Sequence, residues 1–127
     1  MAPAGRRRAR QLERRARARG LAVLTLDLAD VGSKPAFLRR AADALGFPDY
    51  FGANWDAFYD CITDFGWHPA PGYLLRIRNA QQLARRNAPE LAAALELLTE
   101  AAEFWRQQGV PFVVLVDNPE TPLSAAR

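Results

Sequence analysis

Three short apolar runs punctuate the chain: LAVLTLDL at 21–28, YLLRIR at 73–78 and FVVLV at 112–116. Turn formers border them, with Gly20 and the Asp30 to Gly32 segment around the first and Pro69 to Gly72 ahead of the second. Short apolar runs between breakers predict buried strands. Elsewhere the apolar positions recur at helical spacing. Ser33 is placed to cap a helix with Pro35 in its first turn, Phe37, Leu38, Ala41, Ala42 and Leu45 on one side, and Gly46 at its end. Asn54 is a good N-cap for a second helix from Trp55 to about Phe65. Asn79 is set to cap a short helix through Arg86. Pro89 opens a longer one, striped by Leu91, Leu95, Leu98, Ala102 and Trp105 up to Gly109. Strands separated by helices imply parallel pairing, because each return to a parallel neighbour needs a crossover. The expected fold class is therefore α/β: a small three-stranded parallel sheet covered by about four helices, occupying residues 21–117.

Two segments fall outside that pattern. Residues 1–20 contain RRRARQLERRARARG, made of good helix formers, yet Leu12 is its only large apolar residue after Met1. With no evident face to bury, it reads as a basic N-terminal extension, flexible or a solvated helix. Residues 118–127 are rich in breakers and read as a loose tail.

Composition narrows the class. A chain of 127 residues, half of them hydrophobic and 24% charged, has the balance of one ordinary globular domain. No apolar stretch approaches membrane-spanning length. The Arg-rich start followed by Leu21 to Leu26 imitates a signal peptide, but Asp27 interrupts the apolar run after six residues and no small-residue cleavage site follows. The lone Cys61 suits a reducing compartment, so a cytoplasmic location is expected. The net charge of +3 conceals an asymmetry. Residues 1–20 hold eight bases and one acid, 8 − 1 = +7; the other 107 residues hold nine bases and 13 acids, 9 − 13 = −4. The body of the protein is acidic, and the high isoelectric point describes the extension alone.

The candidate chemistry lies in DYFGANWDAFYDCITDF, residues 49–65. Asp56, Asp60 and Asp64 recur every four residues among six aromatics, and no Lys or Arg occurs from Ala41 to Leu75. Like charges at i and i+4 repel by a few tenths of a kcal/mol per pair. Asp56 sits where a helix dipole favours an acid, whereas Asp60 and Asp64 run toward the end that disfavours one. Trp55, Phe58, Tyr59 and Ile62 form the apolar stripe, with Phe58 and Ile62 read as core. Unneutralised acids beside aromatics, with Tyr50 and Phe51 in the preceding loop, are the combination of a protein interface.

At this stretch the sequence resembles the barstar family, intracellular inhibitors of barnase-type ribonucleases. The shared pattern is Tyr, aromatic, Gly, any residue, Asn, large, Asp, Ala, large, aromatic, Asp, Cys, and the order of elements along 21–117 is similar too. The resemblance implies that Tyr50, Asn54, Trp55, Asp56, Tyr59 and Asp60 form the face that enters a ribonuclease active site in a 1:1 complex. Asp60 would mimic a substrate phosphate and Asp56 would pair with a neighbouring Arg. Gly52 and Asn54 would shape the loop, Phe51 would join the ribonuclease-binding residues, and Cys61 would be a buried structural thiol. The sequence departs from the family at Asp64 and Phe65, where members carry Gly and Trp, which adds a charge at the rim; both are counted among the expected ribonuclease-contact residues. It departs again on the last helix, where the family's acidic contact falls at Phe104, with Glu100 and Glu103 as the nearby acids; Glu103 is the candidate. The implied function is that of a bacterial antitoxin or immunity protein acting on a toxic ribonuclease.

Two other classes are weaker. An enzyme using Asp56 and Asp60 as paired carboxylates or Mg²⁺ ligands lacks a third ligand or a base, since the only His, His68, sits in a Pro-flanked loop and no Gly-rich phosphate loop follows a strand. No catalytic activity, metal or cofactor is expected. The alternative is an RNA-binding module led by residues 6–19, which would touch phosphates with a steep salt dependence.

Overall fold

A computed structural model describes residues 2–48 and 52–117. The elements run β1 (Ala2–Ala4), α1 (Arg6–Ala18), β2 (Ala22–Asp27), α2 (Lys34–Leu45), α3 (Trp55–Ile62), β3 (Tyr73–Arg78), α4 (Gln81–Arg86), α5 (Ala88–Gln107) and β4 (Phe112–Asp117). The three expected strands form the parallel sheet, with β3 between β2 and β4. The chain adds the short β1 at the β4 edge, giving the order β1-β4-β3-β2, all parallel.

Alternation along each strand divides the sheet into two faces. Leu24 and Leu26, Tyr73, Leu75 and Ile77, and Phe112 and Val114 point to the main core, where Phe37 and Leu38 of α2, Phe58 and Ile62 of α3, Leu83 of α4, and Ala94, Leu98 and Ala101 of α5 cover them. At the strand ends, Gly72 permits a close approach. A Cβ there would stand 2.7 Å from Leu21 Cδ2 and 3.0 Å from the Pro111 carbonyl oxygen, which accepts the Tyr73 N–H.

The opposite face corrects the expectation of a solvated extension. Helix α1 lies against it, burying Ala9 and Ala16 on Leu74 and Leu115 with Leu12, Leu21 and Val23 around them. Two alanines seven residues apart make a smooth stripe that lets the helix sit close to the sheet, so no second large apolar residue is needed. Arg76, buried in the middle of β3 on this face, anchors the helix. Its guanidinium donates to both carboxylate oxygens of Asp117 (Nε to Oδ1 3.0 Å, Nη2 to Oδ2 2.8 Å) and to Glu13 of α1 (Nη1 to Oε1 3.3 Å). The bonds to Asp117 are the leading cause that raises the Arg76 pKa further.

Helix boundaries follow local chemistry. Ser33 caps α2 by accepting the Ala36 N–H, and Gly46 ends it in the left-handed region at φ 71°. Asn79 does not cap α4: Ala80 occupies that position, and Asn79 Nδ2 donates to Asp27 Oδ1 at 2.8 Å. This bond, with the Ala29 N–H on the same oxygen, holds the Asp27 carboxyl below its usual range. Arg40 of α2 donates to the carbonyls of Asp27 and Ala29, so the end of β2 is tied to both β3 and α2.

Candidate functional site

The turn into α3 is built by three residues. Ala53 takes φ 54°, a left-handed conformation uncommon without glycine. Asn54 then opens the helix, its Oδ1 accepting the Ala57 N–H at 2.8 Å while its Nδ2 donates to the Gly52 carbonyl at 3.4 Å. Asn54 thus caps the helix and closes the turn before it. Tyr50 and Phe51, expected on the same surface, lie outside the described residues.

Helix α3 is fixed to the body by its inner side. Phe58, Cys61 and Ile62 are buried, and the Phe58 ring packs edge-on against Phe37 at 5.5 Å and Phe47 at 6.1 Å. From α5, Trp105 donates its indole N–H to the Ile62 carbonyl at 2.8 Å, satisfying one of the helix's last acceptors. The Thr63 hydroxyl serves the Tyr59 carbonyl at 2.7 Å. Burial pushes the Cys61 thiol pKa up, with Asp64 and Asp60 adding to the effect, which keeps it protonated and unreactive.

The outer side carries Asp56 and Asp60, both exposed, one helical turn apart and separated by a rise of about 6 Å. Neither forms an ion pair among the described residues. At 100° per residue Trp55 and Tyr59, both half-buried, form the shoulder beside the acids. Trp55 rests on Phe37 and Phe58, each at 5.7 Å, so its ring is held by core aromatics on one side. Lys34, the first residue of α2, places its Nζ 5.6 Å from the Trp55 ring centroid. Sequence reading missed this cation, because the α2–α3 packing carries it across 21 positions of chain to Trp55.

Three candidates take other places. Helix α3 ends at Ile62, three residues short of the expected Phe65, so Asp64 lies past the helix. There it is exposed, and its Oδ1 accepts the Gly66 N–H at 3.0 Å, which gives it a local role in the turn. Phe65 is only 1% exposed and is corrected from contact residue to core residue. Its ring stacks on Tyr73 at 4.7 Å and meets Trp67 at 5.5 Å and Trp105 at 6.5 Å. Thr63 caps the helix end at φ −105° and ψ 10°, and beyond it Phe65 takes φ 51°. Glu103 is exposed on α5 but engaged by its own helix: Arg106 reaches it at 2.7 Å and 2.9 Å and Gln107 at 3.0 Å. The Arg106 bond first, then Gln107, lowers its pKa to about 2. No hydrogen bond or ion pair among the described residues joins it to the α3 acids.

Among the described residues no three His, Cys, Asp or Glu side chains lie together as a metal site, and no helix is long and apolar enough to cross a membrane. His68 is exposed in the loop before β3, its carbonyl accepting the Tyr73 hydroxyl at 2.8 Å. What the α3 surface offers is fixed, unneutralised negative charge beside aromatic area on a rigid helix. Fold and surface together define a small parallel α/β domain that exposes an acidic, aromatic-flanked helix. Residues 21–117 match the family model described as Barstar (barnase inhibitor), and the chain belongs to that family. No curated protein matches it.

Proposed function

We propose that this protein inhibits a barnase-type ribonuclease by inserting the α3 surface into the enzyme's basic active site in a 1:1 complex, without catalysis, metal or cofactor. The observation that carries the reading is the pair Asp56 and Asp60, exposed, without ion pairs among the described residues, and held on a capped helix beside Trp55 and Tyr59 in a chain of the Barstar family. A ribonuclease concentrates cationic groups to stabilise a phosphorane-like transition state. Carboxylates can occupy the phosphate positions there with bidentate Arg pairing. Asp60, one turn beyond Asp56, is the phosphate mimic, and Asp56 pairs with a neighbouring Arg. Tyr50, Phe51 and Gly52 precede the helix and supply the loop part of the contact. Asp64, nearer the rim, adds to the field that steers encounter. The protein acts in the cytoplasm as the antidote to a toxic ribonuclease.

Inhibition of RNA cleavage by a panel of barnase-type enzymes tests this, with Asp60→Asn as the matched control. Complete inhibition at equimolar protein is expected. The Asn variant should lose about 2–5 kcal/mol of affinity, chiefly in dissociation rate; that range was measured on barnase and barstar themselves, so it is carried over from the family and not worked out from this site. Its stability should be unchanged or raised by a few tenths of a kcal/mol, because the Asp56–Asp60 repulsion is relieved. A panel left fully active at micromolar protein would overturn the reading, as would an Asp60→Asn variant that unfolds while its folded fraction inhibits normally.

A further inference from the structure

Helix α1 spends its one acid inward. Glu13 turns to Arg76 at the sheet, with a longer 3.4 Å contact to Arg17, and every other charged residue of the helix is an arginine. At 100° per residue seven of the eight exposed arginines, all but Arg6, sort into two ridges. Arg7, Arg10, Arg14 and Arg17 lie within an 80° sector, and Arg8, Arg15 and Arg19 line the other flank. The first ridge spans ten residues, about 15 Å of rise. Its arginines stand three or four residues apart and repel one another. The helix dipole opposes only the N-terminal end of this array, where the first turn holds no acid and the N-cap, Gly5, makes no side-chain cap, while Arg15 and Arg17 lie in the last turn, where it favours a cation. Neutralisation by the α3 acids is blocked, because α1 and α3 cover opposite faces of the sheet.

We propose that the outer face of α1 is a second binding surface, one that docks on the phosphodiester backbone of a nucleic-acid duplex. The ridge is straight and a duplex strand winds, so the long, splayed side chains of the four arginines, not a matched repeat, give the face up to four phosphate contacts. Arginine is the side chain that pairs bidentately with phosphate oxygens, and the chain uses it almost to the exclusion of lysine, which occurs once, at Lys34. Helix α1 carries no aromatic residue. It therefore has no platform for unstacked bases, and binding is through the backbone, independent of sequence. A membrane surface is disfavoured because the apolar side of α1, Ala9, Leu12 and Ala16, faces the sheet and is not free to insert. This inference stands apart from the inhibitor reading, and the two fail independently.

The test is fluorescence anisotropy of the full chain with labelled 20-base-pair RNA and DNA duplexes, titrated between 50 and 200 mM salt. Four phosphate contacts predict a slope of log K against log salt of about −3.6, a loss of roughly a hundredfold in affinity over that range. Binding to either duplex supports the proposal, and the two arms show which one is preferred. The variant Arg7→Gln, Arg10→Gln, Arg14→Gln, Arg17→Gln should lose this binding, and Arg10→Gln and Arg14→Gln singly should each flatten the slope by about 0.9, which keeps the test decisive if the fourfold variant does not fold. Asp56→Asn with Asp60→Asn should leave duplex affinity within about twofold. No binding at 50 mM salt, a slope unchanged in the single variants, or binding to phosphatidylserine vesicles in place of duplexes would overturn the proposal.

Discussion

Replacing Arg76 by Ala removes the cation on which two carboxylates from distant parts of the chain converge. The side chains of Arg76, Asp117 and Glu13 are 8%, 10% and 22% exposed, so water does little to compensate. Taking one partner out of a buried pair costs about 3–5 kcal/mol, because the remaining charge is left desolvated. Here Asp117 retains Arg78 at 3.6 Å and Glu13 retains Arg17, which places the expected loss near the lower bound, about 3 kcal/mol. Arg76→Met keeps the stem's contacts and should be less damaging by about 1 kcal/mol. Urea unfolding followed by tryptophan fluorescence measures both. Trypsin adds a local readout, since α1 contains seven arginines and its cleavage rate should rise in each variant as the Glu13 tether is lost. Substituting all three members together, Glu13→Leu, Arg76→Met and Asp117→Leu, should return stability to within about 1 kcal/mol of the parent, since apolar groups of similar volume replace such triads at little net cost. A loss below 1 kcal/mol for Arg76→Ala, or a triple variant no better than the single one, would refute the claim that this guanidinium fastens α1 and β4 to the sheet.

Ala53→Gly should raise stability by about 0.5–1 kcal/mol by relieving the left-handed backbone at φ 54°, read from the urea midpoint at unchanged m-value. Gly72→Ala should lower it by about 1–3 kcal/mol, because the new methyl meets Leu21 and the Pro111 carbonyl; thermal melting checks this. The Asp27 carboxyl, depressed first by Asn79, contributes stability that is complete above its unfolded value of 3.8 and is lost as pH falls below it through the folded value. Asn79→Ala should therefore reduce stability at neutral pH and flatten the pH dependence below pH 4, measured by urea unfolding between pH 2 and 6.

The strands were legible because a sheet packed on both faces leaves short, mostly apolar runs between turn formers, and α2 was legible at both ends because Ser33 and Gly46 act on their immediate neighbours. Asn79 looked like a cap because its true partner, Asp27, stands 52 residues away. The end of α3 was misplaced because aromatic burial, not local propensity, turns the chain at Phe65. The docking of α1 escaped because its apolar stripe consists of alanines and its anchor, Glu13, gains meaning only when Arg76 arrives from β3. Asp56 and Asp60 could be singled out from sequence because their lack of nearby cations is a local property, while the approach of Lys34 to Trp55 is a product of packing.

The parallel pairing of β1 with β4 has a kinetic consequence. Ala2 aligns with Leu115, a separation of 115 − 2 = 113 residues, and closing so long a loop directly is entropically slow and costly. Once β2, β3 and β4 have assembled, the gap to be closed is only that between Ala4 and Ala22, 22 − 4 = 18 residues. Loop-closure scaling puts the difference between the two routes at about 1.6 kcal/mol. The N-terminal strand and helix are thus the last part of the molecule to settle and the first that can peel away. When they do, they uncover Leu74 and Leu115 and the edge of β4 while the acidic helix on the other face keeps its shape. Refolding should then show two phases, a concerted collapse of the body and a later docking of the arginine helix.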